Sequence, residues 1–274
     1  MIAGVMSPEV ESMKSRLKHI WMAGDYDRFS RYMESGAREF YERLSVSPES
    51  RLLDVGCGSG QLALMAAKDG MEVTGVDIAG NSVERARERA QAEGVRARFE
   101  EADAEALPFE DATFDVVASL IAAMFAPQPD LVAKELLRVC KRGGKLAMAN
   151  WTPAGFVGQM FKTTAAHVAP PPGMPSPVLW GVEEKVRERL GAGISSLQTN
   201  LRHVSFKFPF PPADVVEHFR NYYGPTQKAF GALDENSQAA LRRDLEKLWA
   251  DHNRLTDGTT DVESEYLEVI ATRA

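Results

Sequence analysis

The sequence predicts an α/β fold in which a twisted, mostly parallel sheet carries helices on both faces, and three observations lead there. From residue 51 onward short apolar runs alternate with helical patterns, the helices between them are of crossover length, and a glycine-rich loop follows the first apolar run. Strands joined by helical crossovers run parallel. Right-handed crossovers then cover both faces of the sheet, which is the doubly wound arrangement.

The elements follow in order. Residues 8–44 read as a helical arm, with Phe29, Met33, Phe40 and Leu44 near three- and four-residue spacing and no proline between Pro8 and Pro48. Then come "RLLDV", a helix over 61–69, "MEVTGVDI", a helix over 81–92, "RARFEEA", "FDVVASL", a helix over 129–139 and "GKLAMAN". Past Trp151 the segment "VAPPPGMPSPVLWG" carries five prolines, which rules out a regular helix or central strand and makes it a loop. A helix near 182–190 precedes "LRHVSFKF", where Val204, Phe206 and Phe208 alternate as in a strand. Residues 213–251 read as helical, with a Leu241, Leu245 and Leu248 stripe behind the capping candidates Asp234 and Asn236, and "SEYLEVIAT" closes the sheet. The chain thus divides into an arm (1–50), a core (51–151) and the remaining strands with helical cap insertions (152–274).

Composition narrows the function. A chain of 274 residues with 44% hydrophobic and 26% charged residues is ordinary globular material with room for one large domain. Its net charge of −7 gives no overall positive field, so nucleic acid is not an expected partner. The longest apolar run, Val116–Ala126, falls short of the ~20 residues of a membrane span, and no signal-peptide core opens the chain, so neither membrane nor export is expected. Cys57 and Cys140, without CxxC spacing, offer no disulfide or zinc framework; the expectation is a cytoplasmic protein without a metal.

The loop "LLDVGCGSGQ" sets Gly56, Gly58 and Gly60 in a GxGxG pattern, whereas the dinucleotide fingerprint needs a glycine where Gln61 stands. Glycines at such a turn let the backbone approach a ligand at a helix N-terminus, so a polar or anionic cofactor group is expected there, with a plain strand-to-helix turn as the alternative. Asp77 ends "VTGVD", where a strand-tip carboxylate accepts both hydroxyls of a ribose or caps the next helix. "EADAEALPF" then brings Asp103 to the adenine end of such a site.

These motifs, "LLDVGCGSG", "VTGVD", "DAEALPF" and "RVCKRGGKL", closely resemble those of the class I S-adenosylmethionine-dependent methyltransferases of the small-molecule, type 11-like group. The resemblance implies a Rossmann-like, doubly wound, seven-stranded sheet with the last strand antiparallel; the position of the arm, of residues 152–181 and of residues 213–251 in the strand order adds the expectation of a helical cap above the C-terminal strand ends. The resemblance also implies S-adenosylmethionine as cofactor and S-adenosylhomocysteine as product. By the same resemblance Gly56, Gly58 and Gly60 hold the methionine moiety with Asp54 near its amino group, and Asp77 takes the ribose hydroxyls. Ile78 lies against the adenine, Asp103 and Ala104 stand at its edge, and Ser119 and Leu120 lie under the sulfonium end.

Methyl transfer from a sulfonium is an in-line displacement, and positioning alone contributes on the order of 7–11 kcal/mol. Trp21, Tyr26 and Phe29 of the arm are candidates to cover the cationic centre or simply to pack the arm on the sheet. If a base is used, His167, His218, Tyr222 and Tyr223 are the candidates. Phe156, Met160, Phe161, Met174, Trp180, Tyr222, Tyr223 and Phe230 are candidates for an acceptor chamber, or bury one another. Three readings compete: a methyltransferase for a small organic acceptor, a nicotinamide-dependent oxidoreductase, against which Gln61 argues, and a cofactor-binding protein without turnover. Where nucleic-acid amino-methylases carry a Pro-Pro-aromatic motif, this chain reads "SLIAAMFAP".

Overall fold

A computed structural model describes residues 8–274. Seven strands, β1 (Arg51–Val55), β2 (Glu72–Asp77), β3 (Arg98–Glu101), β4 (Phe114–Leu120), β5 (Cys140–Trp151), β6 (Ile194–Phe208) and β7 (Thr260–Arg273), form one sheet in the order β3-β2-β1-β4-β5-β7-β6. The first five are mutually parallel, and β7 runs antiparallel between β5 and β6. β1 lies inside the sheet and is buried from Leu52 to Val55, so both of its faces are covered and it shows no polar-apolar alternation. The seven-stranded Rossmann-like sheet with its last strand reversed is thus present.

Between the strands lie α4 (Gln61–Lys68), α5 (Gly80–Ala92) and α6 (Pro129–Val139), numbered after three helices of the arm: α1 (Pro8–Trp21), α2 (Tyr26–Ser30) and α3 (Glu34–Leu44). α6 shows why such segments fold. Pro129 opens it, where a missing N–H costs nothing, and Val132, Ala133, Leu136 and Val139 make one buried stripe. After β5 come α7 (Phe156–His167) and α8 (Glu183–Leu190), and between β6 and β7 come α9 (Pro212–Tyr222), α10 (Gly224–Gly231) and α11 (Glu235–His252). α11 packs on both α7 and α9, and α10 reaches α1, so both late insertions and the arm build the helical cap. No helix among the described residues is long and apolar enough to cross a membrane.

Two long helical readings break up. The arm turns at Gly24, which takes φ +77°, and Asp25 restarts it by accepting the Arg28 N–H at 3.0 Å. The 213–251 segment breaks at Gly224–Pro225 and again at Asp234, whose carboxylate caps α11 through the Ser237 N–H at 2.8 Å. Asn236 lies inside α11 and is not its cap. β6 begins seven residues before "LRHVSFKF", because its polar first half is held by the ladder to β7 rather than by an apolar face. β5 also starts early, taking in Cys140, which is buried in the core away from the C-terminal strand ends.

Candidate cofactor and acceptor site

The C-terminal ends of β1, β2, β3 and β4 point their loops into one cavity, the position where open α/β sheets bind ligands. The glycine loop borders it. Gly56 and Cys57 donate their N–H groups to Val76 O at 2.7 and 2.9 Å, which fastens the loop to β2. Gly56 and Gly58 line the cavity in the left-handed region, at φ +74° and +52°. A Cβ on Gly56 would stand 2.2 Å from the Ala122 Cβ, and one on Gly58 3.3 Å from the Tyr26 ring. Gly60 serves a different end: it is the residue before α4, and a Cβ there would meet Phe99, Ala86 and Leu64 rather than the cavity.

Trp21, Tyr26, Asp77, Ile78, Asp103, Ala104 and Leu120 line the same cavity. Asp77 accepts the Gly58 N–H on one carboxylate oxygen at 2.9 Å and the Ala79 N–H on the other at 2.8 Å, which leaves each oxygen a further lone pair. Burial raises its pKa, against those amides. Burial and the Asp77 charge push the Tyr26 phenol up to about 12.

Asp54 and Ser119 lie behind the wall instead of in it. Asp54 is 1% exposed, with one carboxylate oxygen lacking any partner, and burial raises its pKa to about 7 while the Ala63 N–H opposes and Asp77 adds to the shift. A buried carboxylate under a glycine loop suits a cationic group arriving from the cavity side. The Ser119 hydroxyl donates to Val55 O and accepts from Ala123 N, both at 2.9 Å, so it holds the 121–126 turn that forms the floor. In that turn Ile121 takes φ +53°, a costly conformation for a β-branched residue.

The arm closes the Asp103 end of the cavity, a contact that sequence reasoning missed. Lys14 of α1 lines the cavity, and its Nζ donates to Asp103 Oδ2 at 2.6 Å and stands 2.5 Å from Glu105 Oε2. Glu105 is buried and also accepts the Gln128 backbone N–H at 2.7 Å. One turn further along α1, Lys18 pairs with Glu101. No local signal marks the contact, since Lys14 and Asp103 stand 89 positions apart in the sequence. Gln61, the departure from the dinucleotide fingerprint, donates to Ser30 O at 3.1 Å and Ser30 Oγ at 3.0 Å, tying the arm to the glycine loop.

Of the candidate bases, Tyr223 borders the inner cavity. Its ring stacks on Phe29 at 4.7 Å, and burial drives its phenol far above the ordinary range. His167 lies 2.8 Å from Asp244 and joins α7 to α11. Tyr222 lies under the Arg28 guanidinium at 4.5 Å. His218 is buried against Phe29 and Tyr32 with its Nε2 unpartnered, and burial lowers its pKa. Trp180 and Phe230 are buried in the core under Arg189 and Arg220.

Two smaller cavities adjoin the first. All three share Tyr26 and Ile121, one extending toward Gln61, Trp151 and Tyr266 and the other toward Phe156, Met160 and Tyr223.

A family described as a methyltransferase domain matches residues 53–148, the stretch holding this loop, Asp54, Asp77 and Asp103. The chain belongs to the class I S-adenosylmethionine-dependent methyltransferases. Membership makes S-adenosylmethionine the cofactor. This methyltransferase is 35% identical to an uncharacterized protein of Mycobacterium tuberculosis strain H37Rv over 96% of each chain. It is 41% identical to the methyltransferase GfsG of Streptomyces halstedii over 43% of this chain and 44% of GfsG. A candidate methyltransferase of Bacillus halodurans C-125 shares the fold, with a TM-score of 0.62 at 19% identity over 87% of this chain and 98% of the other.

Proposed function

We propose that this methyltransferase methylates a small organic acceptor held at the meeting point of its three cavities. The observation that carries the reading is the shared wall: Tyr26 and Ile121 border the cofactor cavity and both of its neighbours, so an acceptor entering from either side reaches the same point. When bound, S-adenosylmethionine supplies an electrophilic methyl group on a sulfonium. The chain's own residues do the rest. The Gly56–Gly58 backbone and Asp54 take the methionine end, Asp77 the ribose hydroxyls, Ile78 the adenine face, and Asp103 and Ala104 its edge. Leu120 and Ile121 form the floor, and Ser119 acts through them by fixing their turn.

Alignment is the main catalytic device, since an in-line displacement needs contact geometry near 3–3.5 Å and no covalent intermediate. The Tyr26 and Trp21 rings on the cavity wall favour a cationic centre beside them by about 0.5–2 kcal/mol. Tyr223 keeps its proton at neutral pH and serves to orient an acceptor, not to deprotonate it. The acceptor therefore arrives as a competent nucleophile. With a net charge of −7 and buried free cysteines, a cytoplasmic enzyme acting on a metabolite fits better than one acting on nucleic acid.

The test is release of S-adenosylhomocysteine from S-adenosylmethionine over a panel of hydroxyl, amine, thiol and carbon acceptors, with calorimetry of S-adenosylhomocysteine and of NAD alongside. Tighter binding of NAD sinks the reading in favour of an oxidoreductase. S-adenosylhomocysteine binding with no turnover on any acceptor favours a binding protein.

A further inference from the structure

Beyond the cofactor cavity and its two neighbours, a groove of about 950 Å3 runs between α1, α7 and the proline segment. It is continuous with the reaction site. Trp21 and Phe125 border both this groove and the cofactor cavity, and Tyr223 borders both the groove and the inner cavity. We propose that the groove is the acceptor's binding channel and that the acceptor is a bulky, mainly apolar molecule whose reactive end reaches Tyr26 while its body lies between α1 and α7. This deepens the methyl-transfer reading and rests on it.

Three features select that chemistry. The walls are formed by Met13, Leu17, Met160, Phe161, Val168 and Met174, apolar side chains of which three are flexible thioethers that adapt to irregular ligands. On the far wall Pro170, Pro171, Pro172, Pro175 and Pro177 have no N–H to offer, so an apolar ligand strands no backbone donor at those five positions. Charge does not do the selecting, because Arg16 and Lys162 at the wall are accompanied by Glu9. A volume near the top of the ~300–1,000 Å3 range of small-molecule sites exceeds what a single-ring or amino-acid-sized acceptor would fill. A small polar acceptor would leave these walls facing water.

N-phenyl-1-naphthylamine, a neutral apolar fluorophore, tests the groove in protein saturated with S-adenosylhomocysteine. One saturable site is expected, and Phe161→Asp or Met174→Asp should weaken it by about tenfold or more, since a carboxylate would then be desolvated against the probe. S-adenosylhomocysteine affinity should stay within about twofold in both variants, and Phe161→Leu should keep the probe within about threefold because the wall stays apolar. Unsaturable binding, a probe site present in cofactor-free protein but lost on saturation with S-adenosylhomocysteine, or undiminished binding to both Asp variants overturns the proposal while the methyl-transfer reading stands. Failure of the parent protein to bind S-adenosylhomocysteine overturns that reading and this proposal together.

Discussion

Asp77 holds the Gly58 and Ala79 N–H groups with its two oxygens, so it shapes the loop as well as facing the cavity. Replacing it by alanine removes both roles. Replacing it by asparagine keeps one acceptor and the side-chain volume. We expect Asp77→Ala to weaken S-adenosylhomocysteine binding by about 1.5–3 kcal/mol, the worth of hydrogen bonds to a charged group, and to lower thermal stability as well. Asp77→Asn should keep most of the stability and still lose affinity in calorimetry; full affinity would reduce Asp77 to a structural cap. Asp54 allows a second expectation, about pH. Burial raises its folded pKa to about 7, above the ordinary carboxylate value. The folded state therefore holds a proton that the unfolded state releases, and stability falls as pH rises from about 4 toward 7. Binding of a cationic amino group beside it has the opposite sign, strengthening as Asp54 ionises near pH 7. Asp54→Asn should flatten both profiles, measured by thermal melts of the free protein and by calorimetry. If only the melting profile flattens, Asp54 supports the loop without meeting the cofactor.

At the scale of elements, β1 and β4 were legible because each is a short, mostly apolar run, and "RLLDV" and "FDVVASL" match their strands residue for residue. The arm was legible as helical but not as three pieces. Its apolar spacing continues across the break, and the turn depends on a contact far away in sequence, since the Gly24 Cβ position lies 2.4 Å from Tyr222 O. The first half of β6 was illegible for a related reason: nothing in "ISSLQTN" alternates, and only pairing with β7 makes it a strand. Gly224 carries the other half of the contact between arm and cap. A Cβ there would lie 2.1 Å from Ile20 O, so Gly224→Ala should push α10 from α1 and cost about 1–3 kcal/mol by overpacking. The measurement is limited proteolysis with mass spectrometry, in which cleavage between residues 8 and 25 should accelerate several-fold while residues 51–151 stay intact. Equal rates would mean that α1 is held by its lysine pairs alone.

Across the whole molecule, what the sequence announces is the part of the site made by local backbone, the glycine loop and the strand-tip carboxylates. What it withholds is the part made by chain segments meeting across the fold. Lys14 reaches Asp103 over 89 positions, and no local pattern marks a lysine as a wall of a cofactor cavity. Tyr223 and Trp180 look alike as aromatic chamber candidates, yet one borders the cavity and the other is buried under Arg189. Because the arm forms one wall and the sheet the other, a ligand between them should join the two energetically. S-adenosylhomocysteine at about 100 times its dissociation constant stabilises by about 2.7 kcal/mol through mass action, which for a chain of this size raises the melting temperature by roughly 5–10 °C. NAD at the same concentration should leave it unchanged. Hydrogen exchange then locates the coupling: protection should rise in α1 and in residues 56–60 and 121–126, with little change along the edge strand β6. Lys14→Met removes the only charge that α1 places against the buried Glu105, so it should release S-adenosylhomocysteine faster and erase the added protection in α1, while the glycine loop keeps its own. Protection that rises in α1 equally with and without Lys14 would show that the aromatic contacts of Trp21, not the ion pair, carry the coupling from cofactor to arm.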